Sequence, residues 1–206
     1  MKRKIFQFKN VFNFLFFVIG IITLTSFEPK KNESEKINFD PIPKDSINPT
    51  DTFPTPSGNK KMMFFVQRTH NINTIVYELN YNADSTINTE KPIHPYWLRY
   101  ADKGEVKELS YLQNNYAYGI NSLLIDKEKQ TFKLNFVSYK KRDMYLMKSK
   151  YDQKFHAYIT IDGKLCSLER VFVKIEGGTF WVPHITYVLV VGRDNNNKKI
   201  TEKIIP

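Results

Sequence analysis

"KFHAYITIDGKLCSLERVFV", Lys154 to Val173, decides the fold class. Its first half sets Phe155, Ala157, Ile159 and Ile161 against His156, Tyr158 and Thr160, an apolar–polar alternation of period two. Successive side chains of an extended chain point to opposite faces, so this is the pattern of a strand with one face buried. Asp162-Gly163 then breaks the alternation. Both residues tolerate the positive φ that a two-residue type I′ turn needs, so the chain is expected to fold back as a hairpin along "KLCSLERVFV".

The same period recurs on either side of this hairpin. "NTIVYELNY" alternates Ile75, Tyr77, Leu79 and Tyr81 with Thr74, Val76, Glu78 and Asn80, and "TFKLNFVSY" sets Phe132, Leu134 and Phe136 against Lys133 and Asn135. "HITYVLVV", residues 184–191, is apolar on both faces, which fits a central strand. "RDNNNKK" returns it onto "KITEKII", and "ADKGE" folds "HPYWLRY" onto "EVKEL". One segment departs from the period. Ser110 and Gln113 are spaced as a capping box, and "YLQNNYAYG" supplies about two helical turns closed near Gly119. The expectation is an all-β domain, a mostly antiparallel sandwich or small barrel of about eight or nine strands, with one short helix.

The N-terminal third differs in kind. Lys2, Arg3, Lys4 and Lys9 precede the apolar run Val11 to Phe27, a hydrophobic helix in the pattern of a signal peptide or an N-terminal membrane anchor. The positive end stays in the cytoplasm, so the remainder is expected in the periplasm or on the extracytoplasmic face of the membrane. Residues 28–60, rich in Pro, Ser, Asn, Asp and Lys, read as a disordered linker, and residues 61–206 as the folded domain. Cys166 is the single cysteine, so no intramolecular disulfide can form and stability must come from the core.

The formal charge is +10, and the nine Lys/Arg and six Asp/Glu of residues 1–60 leave +7 for the domain. That charge is scattered apart from Lys140, Lys141 and Arg142, a solvated strand edge in the plain reading and an anion-docking run in the sharper one. Nucleic acid is not an expected partner. His70, His94, His156 and His184 fall in no metal-ligand spacing, and no phosphate loop, dinucleotide fingerprint or nucleophile elbow is present, so no metal or cofactor is expected.

Order and content together resemble a bacterial family, domain of unknown function 4833. The resemblance rests on "FFVQRTHNINTIVYELN", the Tyr-Trp at 96 and 97, the Ala-Tyr-Gly at 117–119, and the Asp-Gly hairpin with its downstream strand. It implies the domain limits and an exported context, and no catalytic residues.

Aromatics make up 15% of the chain and supply the remaining functional signal. On strand parity Trp97 and Arg99 share one face of "HPYWLRY" while Tyr96, Leu98 and Tyr100 share the other, and Leu98 marks that second face as core. Trp97, Arg99, Tyr77, Tyr118 and Arg68 are therefore the candidate ligand-binding residues, because aromatic platforms beside arginine bind sugars, bases or anions. The expected function is non-catalytic binding in the cell envelope, of a glycan, lipid, peptide or partner protein. The alternative is an envelope hydrolase in which His94 or His184 acts as general base beside a carboxylate.

Overall fold

A computed structural model describes residues 53–178 and 183–206. The expected signal or anchor over residues 1–27, and the linker as far as residue 52, lie outside the described residues. Among the described residues no helix is long and apolar enough to cross a membrane.

Among the described residues eleven strands form one curled, half-barrel sheet with a single short α-helix, so the all-β expectation holds with more strands than the eight or nine expected. In chain order these are β1 (Met62–Arg68), β2 (Asn71–Leu79), β3 (Ile93–Arg99), β4 (Glu105–Glu108), α1 (Tyr111–Tyr116), β5 (Ile120–Asp126), β6 (Thr131–Phe136), β7 (Tyr139–Lys148), β8 (Phe155–Ile161), β9 (Lys164–Gly178), β10 (Pro183–Arg193) and β11 (Lys199–Ile204). The hairpin that decides the fold class is present as β8–β9, with Asp162 at φ 48° and Gly163 at φ 74° in the turn.

β9 organises the sheet. Its first residues pair with β8 from Tyr158↔Ser167 to Ile161↔Lys164, and further along it pairs in parallel with β1 from Phe65↔Arg170 to Arg68↔Val173. β10 runs antiparallel to β9 with β11 beyond it. Two limbs therefore leave one side of β9, β1–β2–β3–β4 and β8–β7–β6–β5. They curl toward each other and share a core of Phe64, Ile75, Tyr77, Phe132, Leu134, Met144 and Leu146, all essentially without exposure. Phe136 of the second limb meets Phe64 and Tyr77 of the first edge to face, at 6.0 and 5.7 Å between centroids. Burying rings of this size dominates the stability of such a core.

Two expectations are corrected on the first limb. Residues 53–60 share the composition of the linker, yet they lie along the outer face of β1–β3. Phe53 meets Phe172 edge to face at 5.3 Å, and the Gln67 side-chain amide donates to the Pro54 carbonyl at 2.7 Å. The Asn59 amide donates to Glu78 at 2.7 Å and to the Tyr96 hydroxyl at 2.8 Å. This cover explains the second correction. Trp97, not Leu98, belongs to the shared core, while Tyr96 is buried under the strap on the opposite face. Parity separates the two sets as expected, but a sheet covered on both sides makes apolar residues on either face unremarkable.

A polar node locks the second limb to β11. Arg142 grips Glu202 with both terminal nitrogens, at 3.1 and 2.6 Å, and also donates to the Thr160 carbonyl, while the Asp162 amide donates to the same carboxylate at 2.9 Å. Arg142 is thus a structural residue, and of the basic run only Lys140 and Lys141 remain exposed. The Arg142 hydrogen bond, with help from the Asp162 amide, holds the Glu202 carboxyl below its ordinary value of 4.5. A lowered folded-state pKa stabilises above the unfolded value and is lost as pH falls through the folded one. Glu202→Gln is therefore expected to cost about 1–2 kcal/mol at pH 7. In thermal melts the gap between variant and native chain should narrow as pH drops below about 4.5, and a gap constant from pH 7 to 3 would contradict the assignment.

Candidate functional site

α1 places the site. Ser110 accepts from the Gln113 amide at 3.3 Å, and the Gln113 side chain accepts from the Ser110 amide at 2.9 Å, the reciprocal box the sequence predicts. The same Gln113 oxygen also accepts from the indole Nε1 of Trp97 at 3.3 Å. The helix cap is thereby tied to the core strand. The chain then leaves the helix through Ala117 and directs Tyr118 inward, where its ring meets Trp97 edge to face at 5.5 Å. Its carbonyl accepts from the Tyr77 hydroxyl at 2.8 Å. Arg68, the last residue of β1, sets its guanidinium 5.9 Å from the centre of the Trp97 ring.

Four of the five expected residues, Arg68, Tyr77, Trp97 and Tyr118, thus meet in one cluster against the shared core. Arg99 does not join them. It binds Asp102 at 2.7 Å and Glu105 at 2.9 Å across the β3–β4 turn, so its charge is neutralised locally on the surface. Those carboxylates stand three and six residues downstream of Arg99 in "ADKGE", a signal visible in the sequence once that turn is read as a hairpin. The Gln113 contact to Trp97 had no such signal, because the capping box alone accounts for that residue.

The Tyr118 hydroxyl and the Arg68 Nε are buried, and neither has a hydrogen-bond partner among the described residues. Burial raises the Tyr118 phenol above 10, with the Arg68 charge pulling the other way. The Tyr77 phenol is raised well above 10, by burial first and by Tyr118 second. Both phenols are therefore neutral at physiological pH. Chemically the cluster offers an aromatic wall, a permanent cation and two donors without acceptors.

The histidines lie apart from it and from one another. His94 sits 2.8 Å from Glu108 and 3.5 Å from Glu78, His156 is 2.9 Å from Asp152, His184 contacts the Glu176 carbonyl at 3.1 Å, and His70 occupies the β1–β2 turn with φ 64°. Among the described residues no three His, Cys, Asp or Glu side chains are grouped so as to hold a metal ion. Cys166 is fully buried, and burial raises its thiol pKa, which suits a core residue and not a nucleophile.

Comparison with curated proteins and with solved structures returns no match. Residues 64–203 match the family model described as domain of unknown function DUF4833, and the chain belongs to that family.

Proposed function

We propose that this chain is an exported, non-catalytic binding domain of the cell envelope, and that it takes its ligand, part of a glycan, lipid, peptide or partner protein, at the Arg68–Trp97–Tyr118 cluster. The observation that carries the reading is that two buried polar atoms beside the Trp97 ring, Arg68 Nε and the Tyr118 hydroxyl, have no hydrogen-bond partner among the described residues. Buried donors are normally satisfied, so a cation and a phenol with spare donors beside an aromatic wall are groups that a ligand can engage. Export is supported by the positively charged flank and the apolar run Val11 to Phe27. The clustering of Arg68 with Trp97 and Tyr118 also explains why catalysis is not needed to account for these residues.

The test uses the full chain carrying Trp181→Phe, so that Trp97 is its one indole. Its fluorescence is followed against glycan fragments, phospholipid vesicles and short peptides. A saturable change in Trp97 emission with one of these classes is expected, and no response to any would contradict the reading. Cell fractionation should find the protein outside the cytoplasm, and recovery in the cytosol would contradict export.

The hydrolase alternative rests on one observation. His94 and Glu108 are 2.8 Å apart and line a polar cleft of about 370 Å3 with Asn114, Asn115 and Asn121. Ser122, the one hydroxyl in that lining, is turned to the Glu90 carbonyl at 2.9 Å, so a protein nucleophile is not aligned with His94. Hydrolysis by a general-base mechanism would then need an activated water, and His94→Gln should abolish it.

A further inference from the structure

Resting on the binding role just proposed, we infer that the group of the ligand held by the cluster is an oxyanion, a carboxylate or a phosphate, gripped by Arg68 and the Tyr118 hydroxyl. The inference begins with the arginines. Arg99 has two carboxylates, Arg142 has Glu202, Arg193 has Glu169 at 2.6 Å, and Arg170 lies against the Phe65 and Phe172 rings, away from the cluster. Arg68 meets no carboxylate among the described residues; its neighbours are the Trp97 ring and the Tyr118 phenol. A guanidinium keeps its proton under all physiological conditions, so a partly buried one without a counter-charge is a standing cost unless an anion arrives.

The remaining donors fit that anion in number and kind. Tyr77 spends its hydroxyl on the Tyr118 carbonyl, and Trp97 spends its Nε1 on Gln113. What is left is the Nε of Arg68 and the hydroxyl of Tyr118. The edge of a guanidinium that carries Nε–H presents two parallel donors matched to two oxygens of one carboxylate or phosphate, and a neutral phenol adds a third. A cationic ligand would be repelled by Arg68, and a neutral sugar would fill the hydrogen bonds and leave the charge. The Trp97 and Tyr118 rings then supply an apolar wall for whatever body carries the anion.

The full chain with Trp181→Phe is titrated at constant ionic strength with sodium phosphate, sodium acetate and glucose, and separately with vesicles of phosphatidylglycerol or phosphatidylcholine. Trp97 emission is one readout, and the ligand-induced rise in melting temperature of the unsubstituted chain is the other. Saturable responses to phosphate or acetate and none to glucose are expected. If phosphatidylglycerol saturates at far lower phosphate concentration than the free ion does, the anion is a lipid headgroup; if the vesicles add nothing, it belongs to a soluble ligand. Arg68→Met should weaken the anion response about 10- to 100-fold. Its melting temperature without ligand should match or exceed that of the native chain, because an unpaired charge has been removed. Tyr118→Phe should weaken binding about 5- to 10-fold. Undiminished anion binding by Arg68→Met would overturn the inference, and so would a fall of many degrees in that variant's melting temperature. A response to glucose or phosphatidylcholine but not to the anions would leave the binding role standing and remove the oxyanion. Silence with every probe would remove both.

Discussion

Gly119→Ala is expected to lower the melting temperature by about 6 °C or more, from a loss of about 3 kcal/mol or more. The cause is a close approach and not a special backbone angle. A Cβ on Gly119 would stand 1.8 Å from the carbonyl oxygen of Asn114 and 2.9 Å from its carbon, both in the backbone of α1. Neither side can give way cheaply. Tyr118 donates its amide to the Gln113 carbonyl at 2.8 Å, and Val137 donates to the Gly119 carbonyl at 3.0 Å, so the glycine is held between the helix and the second limb. Relief requires α1 to move, and α1 carries Gln113, which fixes Trp97, and leads directly to Tyr118. The variant should therefore lose ligand response together with stability. Gly163→Ala is the contrast: its φ is 74° but its Cβ would meet nothing within 4 Å, and a cost of about 1 kcal/mol is expected. Thermal melts of the two variants measure the difference, and equal losses would contradict the packing described around Gly119.

Trp97→Ala should be the more damaging of the site substitutions, at about 3–5 kcal/mol. The ring is 8% exposed and belongs to the shared core, so its removal leaves a cavity against Tyr118 and takes one of two donors from the Gln113 oxygen. Loss of binding by this variant would say nothing about ligand contact, because the platform itself would collapse. Arg99→Ala should be mild, at about 0.2–1 kcal/mol, since its two ion pairs lie at the surface. Chemical denaturation of both variants checks the ordering. A larger loss for Arg99→Ala than for Trp97→Ala would contradict the placement of Trp97 in the core.

These outcomes reflect how much of the molecule is written locally in its sequence. Alternation in Phe155–Ile161 and positive φ at Asp162-Gly163 are short-range, and so are the return of β3 onto β4 and the Ser110–Gln113 box. Each is legible because neighbours in the chain become neighbours in space. The parallel pairing of β1 with β9 joins residues about a hundred positions apart, and nothing in either segment announces the other. The strap over β1–β3 was hidden for a different reason. Pro54, Pro56 and Asn59 have the composition of a tether, and only the outer face they cover, with Gln67 and Tyr96 waiting for partners, gives them a place.

The candidate site was half legible for the same reason. Aromatic and basic residue types picked out Arg68, Tyr77, Trp97 and Tyr118, which strand pairing and the turn after α1 then bring together. The same criterion also selected Arg99, because residue type cannot distinguish an arginine with two nearby carboxylates from one with none among the described residues. Pairing, not identity, separates Arg68 from Arg99.

That distinction is most directly tested at one nucleus. In the 15N-labelled full chain, the Nε–H resonance of Arg68 is followed by NMR while phosphate or acetate is added at constant ionic strength. The account predicts a saturable displacement of the Arg68 signal and little change at Arg99 Nε. An Arg68 resonance that stays in place while the anions saturate elsewhere on the protein would contradict it.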